Sequence, residues 1–406
     1  MMVGLDRQPV CNATGPRSAV AQLQHRWQFL TRRLQTLQRD GHDEPTLAQA
    51  KWHLYCASYH SGALPSAEPP VDSAAFHAGA QKSSDGASAW NDEMSADVQQ
   101  SIRRNLIEAD NLLDEFSGRA AETVDALLYD FDGDGEAEVR LANSQLMAWL
   151  APAAGGQLFG LDARSVGQNV LASGLPSFLE YFWYPQIQSG EVQDFLNRAD
   201  HSFANRSYHG KLRQGQGRMQ ILLQQQATVH DLPLRVSKAL TMLDCSDELE
   251  ITYLIEGLPE GVLLNFGSLW HWAGIGSDVT NRFVHDLAGH RLGSCQRPLY
   301  LPQSSGVGLC DVWSGIDLQL KTPSVCRLVV SPTPQSRTSA PGSTTTSSPS
   351  TKSSPTPTTP TTPSSTAPYL AVMPHWIISG DAQGRWSTKF SLRVDPTPTD
   401  IRKSRT

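Results

Sequence analysis

The sequence predicts an α+β multidomain chain in which an N-terminal helical segment is followed by a large antiparallel β-sandwich. Apolar residues recur at intervals of three and four up to about residue 116, as on one face of a helix. After residue 134 they alternate with polar residues, and Gly, Asp and Ser turns separate the alternating runs. We therefore expect a helical domain at 19–120, a β-sandwich domain at 121–395, and disordered termini at 1–18 and 396–406.

Two apolar stripes mark the helices, and loops rich in Gly, Pro and Ser join them. The first stripe consists of Leu23, Trp27, Leu30, Leu34 and Leu37. The second consists of Val98, Ile102, Leu106, Ala109, Leu113 and Phe116.

Three later runs have the period of a strand with one buried face. They are "ELEITYLIEG" at 248–257, "GIDLQLK" at 315–321 and "RWSTKFSLRV" at 385–394. The Ser/Thr/Pro segment at 331–368 is too poor in apolar side chains to form a core, so it predicts a disordered insert, with an interdomain stalk as the alternative. The residues beyond it suffice only for a strand pair, which is marginal alone, so we expect this hairpin to rejoin the sheet.

Composition narrows the class of protein. The chain has 406 residues and a formal net charge of −7, and it offers no basic stripe to a nucleic acid. It contains no apolar run of membrane-spanning length, and the N-terminal sequence lacks the apolar core of a secretory signal, so we expect a cytoplasmic protein.

The scattered cysteines predict buried, reduced thiols. They are Cys11, Cys56, Cys245, Cys295, Cys310 and Cys326.

A run of alternating aspartates, "YDFDGDGEAEV", precedes the first predicted strand. An EF-hand would need a glutamate where Leu141 stands, so that interpretation fails. A tight turn is the favoured interpretation, because Asp and Gly accept left-handed backbone conformations. A calcium ion bound by a shorter loop is the alternative, and no other cofactor is expected. The candidate metal ligands are Asp130, Asp132, Asp134 and Glu138.

The stretch that follows resembles the opening of the C-terminal β-domain of α-amylases and 4-α-glucanotransferases of glycoside hydrolase family 57. The matching positions are Asp134, Gly135, Glu138, Val139, Asn143, Pro152, Gly155, Gly156, Leu161 and Asp162. Later motifs of that domain match at Lys238, Tyr253, Pro374 and Trp376. In the helical part, "NLIEADNLLDEF" resembles the last helix of the family's middle domain. Its Tyr-Trp-His-Gly loop is matched loosely by Tyr59, His60 and Gly62, without the Trp.

The resemblance implies a galactose-mutarotase-like sandwich and a role in α-glucan metabolism. The family's retaining chemistry uses two carboxyl groups about 5 Å apart on an N-terminal barrel. The chain begins inside the helical region, so we expect no catalytic residue in it. Aldose epimerases, whose sandwich is related in shape, use a late glutamate base, whereas the last glutamate here is Glu260.

Aromatic residues are the candidate sugar contacts, because aromatic faces stack on the apolar faces of sugars. Trp270 and Trp272 would share one face of a strand and His271 the other. Core packing is the favoured interpretation for the tryptophans, and a structural hydrogen bond is the favoured interpretation for His60 and His271, with sugar contact as the alternative for both. The candidate carbohydrate-binding residues are Trp270, His271, Trp272, Trp313, Tyr59 and His60.

Two functional hypotheses result. In the first, the chain is a carbohydrate-binding or accessory part of an α-glucan enzyme. Its partners are an α-glucan or maltooligosaccharide and a separate catalytic barrel subunit, with no nucleic acid and no membrane. In the second, it is a secreted calcium-binding β-sandwich interaction module with a Ser/Thr/Pro stalk. The first is favoured because the motifs of the β-domain occur in order along the chain.

Overall fold

A computed structural model defines the fold. It describes residues 2–4, 18–39, 45–61, 94–119, 123–185, 191–273, 281–312, 314–333 and 369–396.

Three long helices form the N-terminal part: α1 (Ala19–Arg39), α2 (Pro45–His60) and α3 (Ala96–Phe116). Hydroxyl groups cap two of their N-termini, since Ser18 accepts from the N–H of Ala21 and Ser95 from that of Val98. A short fourth helix, α4 (Val192–Leu196), lies within the β-rich part. Among the described residues, no helix is both long enough and apolar enough to cross a lipid bilayer.

The described residues contain eighteen strands, which form two sheets, and β1 precedes the helices. Those of a small sheet are β2 (Asp125–Tyr129), β3 (Glu138–Ala142), β4 (Leu146–Ala151), β5 (Gln157–Ala163) and β6 (Gln168–Asn169), paired in this order. Those of a large sheet are β1 (Met2–Gly4), β7 (Leu179–Trp183), β8 (His209–Gly215), β9 (Arg218–Val229), β10 (Leu232–Leu243), β11 (Glu248–Glu256), β12 (Leu264–Trp272), β13 (Arg282–His285), β14 (Arg291–Ser294), β15 (Leu299–Asp311), β16 (Ile316–Thr333), β17 (Tyr369–Ile378) and β18 (Arg385–Asp395).

The large sheet is antiparallel and branched. Its main path runs β1-β8-β9-β10-β11-β18-β16-β15-β13-β14, and β17, β12 and β7 continue from the long strand β16. The predicted combination of N-terminal helices with a large antiparallel β-structure is confirmed.

The small sheet lies between the helices and the large sheet, so both of its faces are buried. In β4, Leu146, Ala148 and Leu150 join the core shared with the large sheet, whereas Met147 and Trp149 join the core shared with the helices. All six residues of β4 are therefore buried. Three layers result, and the middle layer can bury polar side chains only if they find partners inside the protein.

The last two strands rejoin the large sheet, as the sequence predicts, but they do not form the expected hairpin, because β17 pairs with β12 and β16 whereas β18 pairs with β11 and β16. In β18, Phe390 pairs with Ile251 of β11, and its ring lies 6.1 Å from that of Tyr253. Trp376 of β17 belongs to the same core as Val139 of the small sheet.

Two details at the ends of predicted segments differ. Ser331–Thr333, the start of the expected insert, extends β16 because these residues pair with the beginning of β17. Met2–Gly4, expected to be disordered, forms β1 and pairs with β8. Residues 334–368 lie outside the described part of the chain, and the division into domains stays a prediction.

A cluster of buried charges joins the helices to the small sheet. Asp110 and Asp114 project from one face of α3 and meet arginines from α1 and from the sheet layer. Arg33 of α1 contacts both, with oxygen–nitrogen distances of 2.9 and 2.7 Å. Arg140 of β3 also contacts both aspartates, and Arg164, in the single turn after β5, lies 2.8 Å from Asp114.

The same cluster continues towards β5. Arg26 of α1 contacts Asp162 at 2.7 Å and Asp110 at 3.5 Å, and its guanidinium lies over the ring of Trp149. Burial alone would raise the pKa of Asp114. The charges of Arg140, Arg33 and Arg164 outweigh burial and lower that pKa to about 2. The ionised form of this carboxylate therefore stabilises the folded state.

We expect the substitution Asp114→Asn to lower the free energy of unfolding at pH 7 by about 3–5 kcal/mol, because it leaves buried arginines without their counter-charge. The folded-state pKa lies below the ordinary value, so the stabilisation is present above about pH 4 and is lost as the pH falls towards 2. The difference between wild type and variant, measured by urea denaturation at a series of pH values, should shrink over that window.

The matched control is Asp247→Asn, which removes one carboxylate from the exposed pair with Arg393 and should change the stability by about 1 kcal/mol or less. Equal losses in the two variants would contradict a structural role for the buried cluster.

Candidate functional site

The two tryptophans predicted to contact sugar lie in the core between the sheets. Trp270 and Trp272 are fully buried, and Trp270 packs against Phe178 and Phe390. They do share one face of β12, as expected, but that face is the inner one. The burial leaves neither ring face available to a ligand, so it supports the core-packing interpretation and not sugar stacking.

His271 lies on the opposite face of β12 and is also buried. Its Nδ1 atom lies 2.6 Å from the carbonyl oxygen of Pro176, so Nδ1–H donates and the neutral tautomer is defined. Burial lowers the pKa of His271 to about 4, although the bond to Pro176 acts in the opposite direction. This histidine is a structural hydrogen-bonding group. Trp313, a further predicted contact, lies outside the described residues.

Tyr59 and His60 are exposed at the end of α2, where they are accessible to a ligand. Tyr59 belongs to a longer aromatic stripe, which we define as Trp52, Tyr55 and Tyr59. Trp52 and Tyr59 are 51% and 48% exposed, and Tyr55 lies between them with ring-centroid distances of 5.7 and 6.4 Å. Trp52 was not among the predicted contacts, although spacings of three and four residues place the three rings on one helix face.

The aspartate run forms the turn between β2 and β3. Asp130 accepts hydrogen bonds from the backbone N–H groups of Gly133 and Gly135, at 2.7 and 3.0 Å. Glu138 accepts from the N–H of Phe131 at 2.7 Å. Carboxylate bonds to backbone N–H groups therefore hold the turn in place, as expected for an Asp/Gly turn.

Three of the four predicted metal ligands come together in this turn. Carboxylate oxygens of Asp130, Asp132 and Glu138 lie within 4.8 Å of one another, whereas Asp134 is outside this group. Calcium needs six to eight oxygen ligands. All three carboxylates already accept backbone hydrogen bonds, two at Asp130 and one each at Asp132 and Glu138. The geometry favours the turn, and the calcium site stays a prediction of the sequence.

We expect Asp130→Ala to lower the free energy of unfolding by about 1–2 kcal/mol in buffer without calcium, since two charge-assisted hydrogen bonds are lost. Thermal unfolding of the wild type should be the same with calcium as with a chelator. Glu136→Ala, which removes an exposed charge from the same turn, is the control and should have little effect. A saturable rise of the melting temperature with calcium, abolished by Asp130→Ala, would instead establish a cation site.

A second buried polar network lies inside the β-structure. Lys238 and Glu180 form an ion pair at 2.7 Å, and both side chains are fully buried. Lys238 also donates to the carbonyl oxygens of Gly155 and Phe178, at 2.9 and 2.8 Å. Tyr253 donates to Glu180 at 2.9 Å. Lys238 and Tyr253, two of the residues matched to family motifs, thus meet at Glu180, which was not among the predicted site residues.

This network is saturated with hydrogen bonds. The second carboxylate oxygen of Glu180 accepts from Tyr208 at 2.8 Å, and Ser268 links Tyr253 to Trp270. Burial and the neighbouring Glu180 carboxylate raise the pKa of both tyrosines well above its usual range, so they stay protonated donors. Glu180 therefore has a structural role and is not placed to act as an acid or base on a substrate.

The predicted buried thiols are partly borne out. Cys295 and Cys326 are buried, and burial raises the pKa of each to about 11. Cys310 is also buried, but Cys245 is exposed, because it lies in the turn between β10 and β11 with a left-handed backbone. Cys56 is only partly buried, and Cys11 lies outside the described residues.

The sequence profile that matches this chain describes the C-terminal region of α-amylases and 4-α-glucanotransferases, over residues 130–173 and 176–334. The chain belongs to this family, as its motifs suggested. No curated protein sequence matches the chain.

A solved structure of a glucanotransferase shows a similar fold. The 4-α-glucanotransferase from Thermococcus litoralis aligns with 93% of this chain, at 12% sequence identity and a TM-score of 0.57. The alignment covers 49% of that enzyme, so the chain spans about half of its length. A galactose mutarotase-like protein from Clostridium acetobutylicum aligns with 68% of this chain and 98% of its own, at 11% identity and a TM-score of 0.44.

Proposed function

We propose that this chain contributes α-glucan recognition to an α-amylase or 4-α-glucanotransferase system and does not itself supply the catalytic carboxylates. Membership of the C-terminal family is the observation that supports a carbohydrate substrate. The contact surface in this proposal is the aromatic stripe of α2 together with His60, whose ring lies edge-on to Tyr59 at 6.1 Å.

The geometry of the stripe suits a sugar chain. Trp52 and Tyr59 are separated by seven residues, which corresponds to about 10 Å along a helix axis. Both rings expose roughly half of their surface and are supported from one side by Tyr55. Large aromatic rings lose little side-chain entropy when they contact a ligand, so they bind an extended and weakly polar surface effectively.

The buried carboxylates support a binding role. Asp110, Asp114 and Asp162 each contact an arginine, and Glu180 contacts Lys238. None of these four side chains is placed to serve as the acid or nucleophile that glycoside hydrolysis needs. Within the described residues there is also no alternating series of parallel strands and helices that would form a barrel.

We expect Trp52→Ala and Tyr59→Ala each to weaken binding of glycogen or soluble starch about 5- to 10-fold, the loss that corresponds to about 1–1.5 kcal/mol of aromatic contact. Affinity electrophoresis in gels that contain the polysaccharide would measure this. Tyr300→Ala is the matched control, because Tyr300 is a similarly exposed tyrosine in β15. Equal retardation of wild type and both stripe variants, or no retardation of the wild type, would contradict the proposed surface.

We also propose a separate barrel-bearing subunit as the catalytic partner, since the matching family describes the C-terminal region of α-amylases and 4-α-glucanotransferases. Tagged full-length protein should co-purify a protein with an α-glucan-active barrel from cells of the source organism. Mass spectrometry would identify it, and the complex should convert maltooligosaccharides. Isolation of the chain alone under mild conditions, together with glucanotransferase activity in that preparation, would contradict both parts of this proposal.

A further inference from the structure

The side chain of His285 connects two strands of the large sheet that are not neighbours. His285 lies in β13, which pairs with β15, and β15 in turn pairs with β16. The imidazole crosses β15 at Gly308, where a Cβ atom would lie 2.1 Å from the Cε1 atom of His285. Beyond Gly308, the Nε2 atom of His285 lies 2.7 Å from Oδ1 of Asp317 in β16. The missing side chain at Gly308 therefore makes room for a direct contact between β13 and β16.

Both ring nitrogens of His285 face hydrogen-bond acceptors. The Nδ1 atom lies 2.6 Å from the backbone carbonyl oxygen of Asp286, and Nε2 faces the carboxylate of Asp317. The other oxygen of Asp317 accepts from the side-chain amide of Gln319 at 2.6 Å. A neutral imidazole has one N–H and satisfies one of the two acceptors, whereas an imidazolium satisfies both. Since His285 and Asp317 are both buried, this geometry favours an imidazolium paired with a carboxylate.

The charges around this pair act in the same direction. Burial alone would lower the pKa of His285. The hydrogen bond to Asp317 and its charge, with the backbone and carboxylate of Asp286, outweigh burial and raise that pKa above its ordinary value. The other titratable and charged side chains of the elements around the pair are His290 of the turn, Arg291 of β14, Cys310 of β15, Lys321 of β16, and Arg393 and Asp395 of β18.

The hairpin that carries His285 forms one edge of the large sheet. β14 is the terminal strand of the main path, and it pairs with β13. Within the described residues, only β13 joins this hairpin to the rest of the sheet, through the pairing of Arg282–His285 with β15. Elements at a sheet edge open at a lower free energy than central strands, so a single buried contact has a large share in keeping them closed.

We propose that His285 and Asp317 form a pH-sensitive latch that holds the β13–β14 hairpin on the large sheet. Protonated His285 closes the latch, because it donates to Asp286 and Asp317 at once. When the imidazole releases its proton to solvent, one acceptor loses its donor and the buried Asp317 carboxylate loses its counter-charge. The folded-state pKa lies above the ordinary value, so the latch contributes fully below about pH 6.5 and is lost as the pH rises through the folded-state pKa.

Hydrogen exchange of the full chain tests this proposal, with peptides that cover residues 282–294 followed by mass spectrometry and corrected for intrinsic exchange rates. We expect the opening constant of the hairpin to rise about tenfold for each pH unit above about 6.5, up to the folded-state pKa of His285, because opening then takes up one proton. In His285→Gln the hairpin should be less protected at about pH 6, and its opening constant should not depend on pH. The matched control is His290→Gln, which changes the exposed histidine of the same hairpin and should keep the wild-type slope.

The titration of His285 in the wild type gives a result that does not depend on a variant. In protein labelled with ¹³C at the histidine Cε1 atoms, the His285 resonance is assigned through its contact with the ring of Phe283. We expect its midpoint to lie above pH 6.5, and Asp317→Asn should lower it. A wild-type midpoint at or below 6.5 would overturn the proposal. So would hairpin opening that is independent of pH in the wild type, or that has the same slope in His285→Gln.

Discussion

The buried cluster of arginines and aspartates is the interaction on which the arrangement of the layers depends. Asp110 and Asp114 on α3 can be buried only because arginines from α1, β3 and the turn after β5 converge on them. Desolvation of these charges is unfavourable, so each must keep its partner. The cluster therefore ties the orientation of the helices to the small sheet more specifically than the surrounding apolar contacts do, since apolar contacts carry no direction.

A second buried polar network, around Lys238 and Glu180, holds elements of the β-structure together. It explains the Gly-Gly motif and the lysine-containing strand of the family. Lys238 bonds to the carbonyl oxygen of Gly155 in the turn that precedes β5. A Cβ atom at Gly155 would lie 2.2 Å from the carbonyl oxygen of Ala204, and its φ of +70° is strained for other residues. The Gly155–Gly156 pair and the strand that carries Lys238 thus belong to one structural network. Their occurrence together indicates a shared fold rather than a shared active site.

The sugar-contact surface that we propose lies outside these two networks, on the exposed side of α2. The sequence makes the two tryptophans of β12 candidates for sugar contacts, but in the structure they fill the space between the two sheets. The stripe of α2 combines exposed rings with support from a helix that packs on its other face. A rigid element that presents aromatic side chains is a favourable basis for weak, extended recognition.

The sequence by itself determined the local elements and the family. Periodicity located α1, α3 and the strands β11, β16 and β18, because an element with one buried face must repeat its apolar residues at its own period. Ordered motifs such as Lys238 and Tyr253 revealed the relationship to α-amylases and 4-α-glucanotransferases. The same patterns could not distinguish core packing of Trp270 from sugar binding. The elements that pack against β12 decide whether the Trp270 side chain is buried.

Tertiary structure alone decided which polar residues meet. Glu180 is 58 residues from Lys238 and 73 from Tyr253, and Arg26 is 136 residues from Asp162. No local pattern encodes such pairs, since each charge is an ordinary surface residue until a second layer covers it.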